Sequence, residues 1–182
     1  MIKFVYFDLG GVVIRDFSGT DNWVELKNER GITDDYWDKF EPELCVGKQK
    51  IDNDLLNAFV SRFEKNPSIW PVIDKIHKSC KIGLLTNMYP GMFKAIQNAK
   101  ILPDVAWSVI IDSSVEGIAK PDSEIFKLAE EKAQVKGQEI LFVENSPGHV
   151  QAAKSFGWQT FLYDSAHPAD SSQKLSLLLE TE

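Results

Sequence analysis

The chain has 182 residues and a net charge of −7, with 20 Lys and Arg against 27 Asp and Glu. That length holds one well-buried α/β core, or a core with a small inserted module, and not two domains of equal size. The acidic balance cannot readily supply the concentrated positive field that a nucleic acid or an anionic membrane surface requires, so neither is expected as a partner.

The run from Met1 to Ile14 is apolar, β-branched and aromatic, and it is broken in the middle by Asp8-Leu9-Gly10-Gly11. It reads as a buried strand that delivers one carboxylate into a glycine turn. In an open α/β sheet, ligands lie beyond the carboxyl ends of the strands, which is where Asp8 falls. With the same break and no cleavage-site pattern, this stretch is expected to be neither a signal peptide nor a membrane span. A soluble cytoplasmic protein is the expectation.

From about Asp16 to Asn66 the chain turns rich in charge and aromatics, with a helical period and no convincing strand. Helices are predicted over Asp21 to Arg30, Thr33 to Val46 and Asp52 to Lys65, each with start and stop signals such as Gly31, Gly47 and Asn66-Pro67. In the third, Ile51, Leu55, Leu56, Phe59, Val60 and Phe63 share a face. Alternating elements follow: a helix from Pro67 to Ser79, a strand ending at Thr86-Asn87, a helix from Gly91 to Ala99 and a strand from Trp107 to Ile111. A helix from Asp122 to Val135 and a strand ending at Glu144-Asn145 come next. Ser146-Pro147 then opens a helix closed by Gly157, before a strand over Gln159 to Tyr163 and a last helix carrying Leu175 to Leu179.

This order predicts an α/β fold, a Rossmann-like parallel sheet with a small all-helical module inserted after the first strand. The core is placed at residues 1–15 and 71–182, and the insert at 16–70. Cys45 and Cys80, the only cysteines, read as free buried thiols, and His77, His149 and His167 show no metal-ligand spacing.

Asp8, Thr86-Asn87, Lys120 and Glu144-Asn145 all fall at strand ends or in a loop between strands. Singly, each reads as a turn, a helix start or a surface charge. Together at one edge of a parallel sheet they make an acid, a hydroxyl beside a backbone N–H, a lysine and an acid-amide pair. Those groups can hold a metal-bound phosphate while a carboxylate attacks it.

Over nearly its whole length the chain resembles the haloacid dehalogenase-like hydrolases. Phe7-Asp8-Leu9-Gly10-Gly11-Val12 is similar to the first motif of that superfamily and Leu84-Leu85-Thr86-Asn87 to the second. Lys120-Pro121-Asp122 is similar to the third, and Phe142-Val143-Glu144-Asn145-Ser146 to the fourth. The resemblance implies a core sheet in which the first and fourth motif strands are neighbours, and residues 16–70 as a helical cap. It implies that Asp8 is the nucleophile, forming an aspartyl-phosphate, and a Mg²⁺ ligand. Thr86 and the Asn87 backbone would bind the phosphoryl group, and Lys120 would neutralise charge on nucleophile and phosphate. Glu144 and Asn145, directly or through water, and the Gly10 carbonyl would complete the metal site.

Two positions depart from the pattern. Phosphatases of the superfamily usually carry a second Asp two residues after the nucleophile, as acid for the leaving group and then as base for water; here that position is Gly10. A positioned acid or base contributes about 10² to 10⁴ in rate, so the expectation is a slow enzyme or one restricted to acyl, aryl or anomeric phosphates. Asn145 stands where an Asp is common, which lowers the ligand charge and should weaken Mg²⁺ binding.

The leading reading is a Mg²⁺-dependent phosphatase of a small phosphorylated metabolite, such as a sugar phosphate. The alternatives are a catalytically impaired protein of the same fold that binds a phosphorylated ligand or a protein partner, and a haloacid dehalogenase. Dehalogenases share the missing second Asp but normally carry Tyr at that position and a different fourth motif. A receiver domain of two-component signalling is excluded by the order of its motifs. Within the cap, Trp23, Arg30, Trp37, Lys48 and Lys50 are the side chains suited to face a substrate, and Lys48, after Gly47 at a turn between helices, is the one selected for substrate binding.

Overall fold

The structure, a computed structural model, describes residues 1–180. Strand β1 (Phe4–Phe7) is at its centre, with all four residues fully buried. A continuous apolar run without polar alternation suits a strand covered on both faces, and its period of two sorts the side chains. Val5 and Phe7 join one apolar cluster and Phe4 and Tyr6 the other.

The second strand, β2 (Ile14–Arg15), follows the glycine turn. Three helices come next, α1 (Asn22–Arg30), α2 (Asp34–Cys45) and α3 (Asn53–Val60), then β3 (Glu64–Lys65) and α4 (Trp70–His77). The remainder alternates: β4 (Lys81–Thr86), α5 (Met92–Asn98), β5 (Val109–Asp112), α6 (Ser113–Glu116), α7 (Ser123–Ala133), β6 (Ile140–Glu144), α8 (Pro147–Ser155), β7 (Gln159–Leu162) and α9 (Pro168–Glu180). The main sheet runs β5-β4-β1-β6-β7, with every neighbouring pair parallel. Ile73, Ile96 and Leu175 bring α4, α5 and α9 onto one face; Ile125, Phe126 and Ala153 bring α7 and α8 onto the other. The first and fourth motif strands are neighbours, as the resemblance implied.

The three helices between β2 and β3 start and stop on local chemistry. The Thr33 hydroxyl accepts from the Tyr36 N–H, and the Asp52 carboxylate accepts from the Leu55 N–H at 2.7 Å. Gly31, in the left-handed region at φ 64°, ends α1. Their shared core is aromatic. Trp37 lies 4.8 Å from Trp23 and 5.9 Å from Phe59, centroid to centroid, and 5.9 Å from Tyr89 in the loop after β4. The two tryptophans therefore bind the insert together and to the rest of the molecule.

One predicted helix is shorter than its apolar period suggested. The segment Asp52 to Lys65 is helical only to Val60, because the main chain of Glu64–Lys65 pairs with Ile14–Arg15 in an antiparallel ribbon. That ribbon closes the helical insert at its base. The four-residue α6, capped by Asp112 accepting from the Ser114 N–H at 2.9 Å, is also absent from the sequence reading. No helix among the described residues is long and apolar enough to cross a membrane.

Candidate active site

Three parallel strands bring their carboxyl ends to one edge: β1 ends just before Asp8, β4 at Thr86 and β6 at Glu144. The Asp8 N–H donates to the Val143 carbonyl at 2.9 Å, which fixes the acid beside β6. Lys120 arrives from the loop before α7. Its main chain is held by the Asn87 amide, whose Oδ1 accepts from the Lys120 N–H and whose Nδ2 donates to the Lys120 carbonyl, both at 2.8 Å. The side chain of Asn87 thus positions the lysine, a role the sequence did not suggest for it.

The Lys120 ammonium is completely buried and has three donors to place. They meet three acceptors: Asp8 Oδ1 at 3.0 Å, Glu144 Oε2 at 2.6 Å and the Leu85 carbonyl at 3.0 Å. Burial alone would lower its pKa, but the two carboxylates reverse this and hold it above the usual lysine value. Asp8 responds differently. Burial, followed by the nearby charge of Glu144, pushes its pKa up to about 6 against the pull of Lys120. Burial also acts to raise Glu144, yet Lys120 and His149 outweigh it and bring that group down to about 2.

Glu144 is held from four directions. Its Oε1 accepts from the Asn145 and Ser146 N–H groups, each at 2.9 Å, and its Oε2 faces Lys120 and, at 3.2 Å, His149 Nδ1. A carboxylate has about four acceptor positions, so Glu144 is committed to orienting Lys120 and the turn after β6. His149 has a faint signal in the sequence: it lies in the first turn of the helix opened by Ser146-Pro147, where its side chain can reach back to the strand end.

Asp8, Gly10, Thr86, Asn87, Glu144 and Asn145 line one cavity of about 300 Å³. Lys120 supports Asp8 at its edge. Lys48 does not line this cavity; it is exposed on a turn where Gly47 lies against α6, so close that a Cβ there would meet the Ser114 carbonyl at 2.2 Å. Its apolar lining comes from Phe17, Phe59, Phe63, Met88, Tyr89 and Met92. Asp16 also lines the cavity and was not selected from the sequence. Its Oδ1 accepts from the Ser18 N–H at 2.8 Å, and burial raises its pKa.

The donors suit a sparsely held hard cation. Among the described residues no three His, Cys, Asp or Glu side chains converge as a ready metal cage. Mg²⁺ needs none, since it keeps several waters and is commonly bound through one or two carboxylates and the substrate's own phosphate. For such an ion Asp8 would supply the carboxylate, with Asn145 and the Gly10 carbonyl as neutral oxygen donors, and Glu144, already engaged by its four partners, would act at most through water.

A predicted haloacid dehalogenase-like family hydrolase from Porphyromonas gingivalis superposes with a TM-score of 0.83 at 20% identity, covering 100% of both chains. A point-substituted HAD family enzyme from Bacteroides thetaiotaomicron, in complex with magnesium and inorganic phosphate, gives a TM-score of 0.73 at 20% identity over 91% of this chain and 95% of that one. The L-2-haloacid dehalogenase of Xanthobacter autotrophicus gives 0.64 at 20% identity over 90% and 78%. At such identities these likenesses show the fold alone. In sequence, 99 residues are 28% identical to mouse acyl-CoA dehydrogenase family member 10, over 53% of this chain but only 9% of that much longer protein. Residues 2–157 match the family model for a haloacid dehalogenase-like hydrolase. With the fold, the four motifs in order and this match in agreement, the chain belongs to the haloacid dehalogenase-like hydrolases.

Proposed function

We propose that the protein is a Mg²⁺-dependent phosphatase that hydrolyses a small phosphate monoester through an aspartyl-phosphate on Asp8. The observation that carries this reading is the pairing of Asp8 with Lys120 at 3.0 Å, at the edge of a cavity that Thr86 and Asn87 also line. A buried ammonium beside the nucleophile offsets the repulsion between a carboxylate and an incoming phosphate dianion, and costs no reorganisation during the reaction. Thr86 and the Asn87 backbone would bind the phosphoryl oxygens. Bound Mg²⁺ would supply further neutralisation of the phosphoryl charge, held by Asp8, Asn145 and the Gly10 carbonyl.

Residues 16–70 would act as the cap, excluding water above the site. The apolar part of the cavity lining suits a leaving group with apolar surface better than a many-hydroxyl sugar. Position 10 offers that leaving group no proton, so turnover requires either a good leaving group or a proton from another side chain.

A phosphoryl-mimic experiment tests the nucleophile directly. Beryllium fluoride with Mg²⁺ should stabilise the wild-type protein against heat and leave Asp8→Asn unchanged. Equal stabilisation of both would remove Asp8 from this role.

A further inference from the structure

A Cβ built on Gly10 would lie 2.4 Å from Asp16 Oδ2 and 3.3 Å from Asp16 Cγ. The space beside Gly10, where the side chain of a residue 10 aspartate would begin, is therefore already filled by a carboxylate from another part of the chain. Asp16 reaches it because β2 turns the main chain back after the glycines. Its Oδ1 is anchored by the Ser18 N–H at 2.8 Å, which leaves Oδ2 as the oxygen turned towards Gly10. Both residues line the cavity that holds Asp8. The two carboxylates are not interchangeable by simple addition: an aspartate at position 10 and Asp16 in its present place would collide.

We propose that Asp16 is the catalytic acid and base of this enzyme, supplying from the residue just after β2 the carboxyl group that position 10 lacks. This rests on the phosphatase reading above. In the first step an Asp8 carboxylate oxygen bonds to phosphorus while the bond from phosphorus to the leaving oxygen breaks, and the Asp16 carboxyl proton passes to that oxygen. The products are the free alcohol, the Asp8 acyl phosphate and the Asp16 carboxylate. In the second step water bonds to phosphorus and gives a proton to Asp16 while the bond from phosphorus to Asp8 breaks. Hydrogen phosphate leaves, and both aspartates return to their starting states.

The test is leaving-group dependence, measured with Mg²⁺ on an alkyl phosphate and on nitrophenyl phosphate, whose leaving group needs little protonation. Asp16→Asn should lower kcat/KM for the alkyl ester by about 10² to 10⁴, and for nitrophenyl phosphate by less than about tenfold. The ratio of the two rates from one preparation does not depend on the folded fraction, so partial misfolding cannot imitate the result. Moving the carboxyl, with Gly10→Asp and Asp16→Ser together, should restore at least about tenfold of the lost alkyl activity. An equal loss on both esters, a loss recovered by raising Mg²⁺, or no rescue by the double variant would overturn the role of Asp16 while wild-type turnover kept the phosphatase reading intact. Wild-type protein that releases phosphate from neither ester would overturn both.

Discussion

Asn87 grips Lys120 by its main chain at both the N–H and the carbonyl, each bond 2.8 Å long. The lysine paired with Asp8 is thus aimed by a residue whose own position is set by the end of β4. Asn87→Ala leaves both main-chain groups of a buried residue without a protein partner, at a cost of about 1–3 kcal/mol for each group left unsatisfied. Denaturant unfolding should report a loss in this range, and phosphate release should fall about tenfold or more as Lys120 loses its aim.

Lys120 also separates two buried carboxylates. Lys120→Met removes the buried ammonium that faces both Asp8 and Glu144, and breaking a buried ion pair in this way typically costs about 3–5 kcal/mol. Adding Glu144→Gln should recover part of that stability, because it removes one of the stranded charges, but should recover no activity. Thermal melts of the single and double variants measure this coupling.

The two carboxylates respond to pH with opposite sign. Asp8 is raised from 3.8 to about 6, so the folded state binds its proton more tightly than the unfolded chain does. Its contribution is present below about pH 4 and is lost as the pH rises through about 6. Asp8→Asn should therefore stabilise the metal-free protein at pH 7.5, on the order of 1–3 kcal/mol at about 1.4 kcal/mol per pKa unit. Glu144 is lowered from 4.5 to about 2; its contribution is present above pH 4.5 and is lost as the pH falls through about 2. Acid unfolding of Glu144→Gln should accordingly begin from a lower stability and show a shallower slope between those values.

Lys48 is exposed and outside the cavity. Lys48→Ala should leave KM for a small phosphate ester within about twofold of wild type. A large rise in KM would mean that the turn after α2 reaches the substrate.

How much of this was legible in the sequence depended on the scale of the signal. Phe4 to Phe7 and Ile140 to Val143 are continuous apolar runs that only a central parallel strand buries on both faces, and a polar group at the end of each fixed the site's edge. The β2–β3 ribbon was hidden because two-residue strands carry no period, and Glu64 and Lys65 look like the solvated end of an amphipathic helix. Asp16 stayed hidden for the same reason: its approach to Gly10 is made by that turn, and nothing in its neighbours Arg15 and Phe17 marks it. Lys48 shows the converse. A charge beside a turn glycine says that the residue is exposed, but the close approach of Gly47 to Ser114 decides where the turn lies.

The central claim is that Asp8 is the group that takes the phosphoryl unit. Phosphate release from a panel of alkyl, aryl and sugar phosphates with Mg²⁺, comparing wild type with Asp8→Asn, tests it most directly. Wild-type protein should release phosphate from at least one ester while Asp8→Asn, folded and at least as stable, falls to the level of the protein-free blank; turnover that survives the substitution would contradict the assignment.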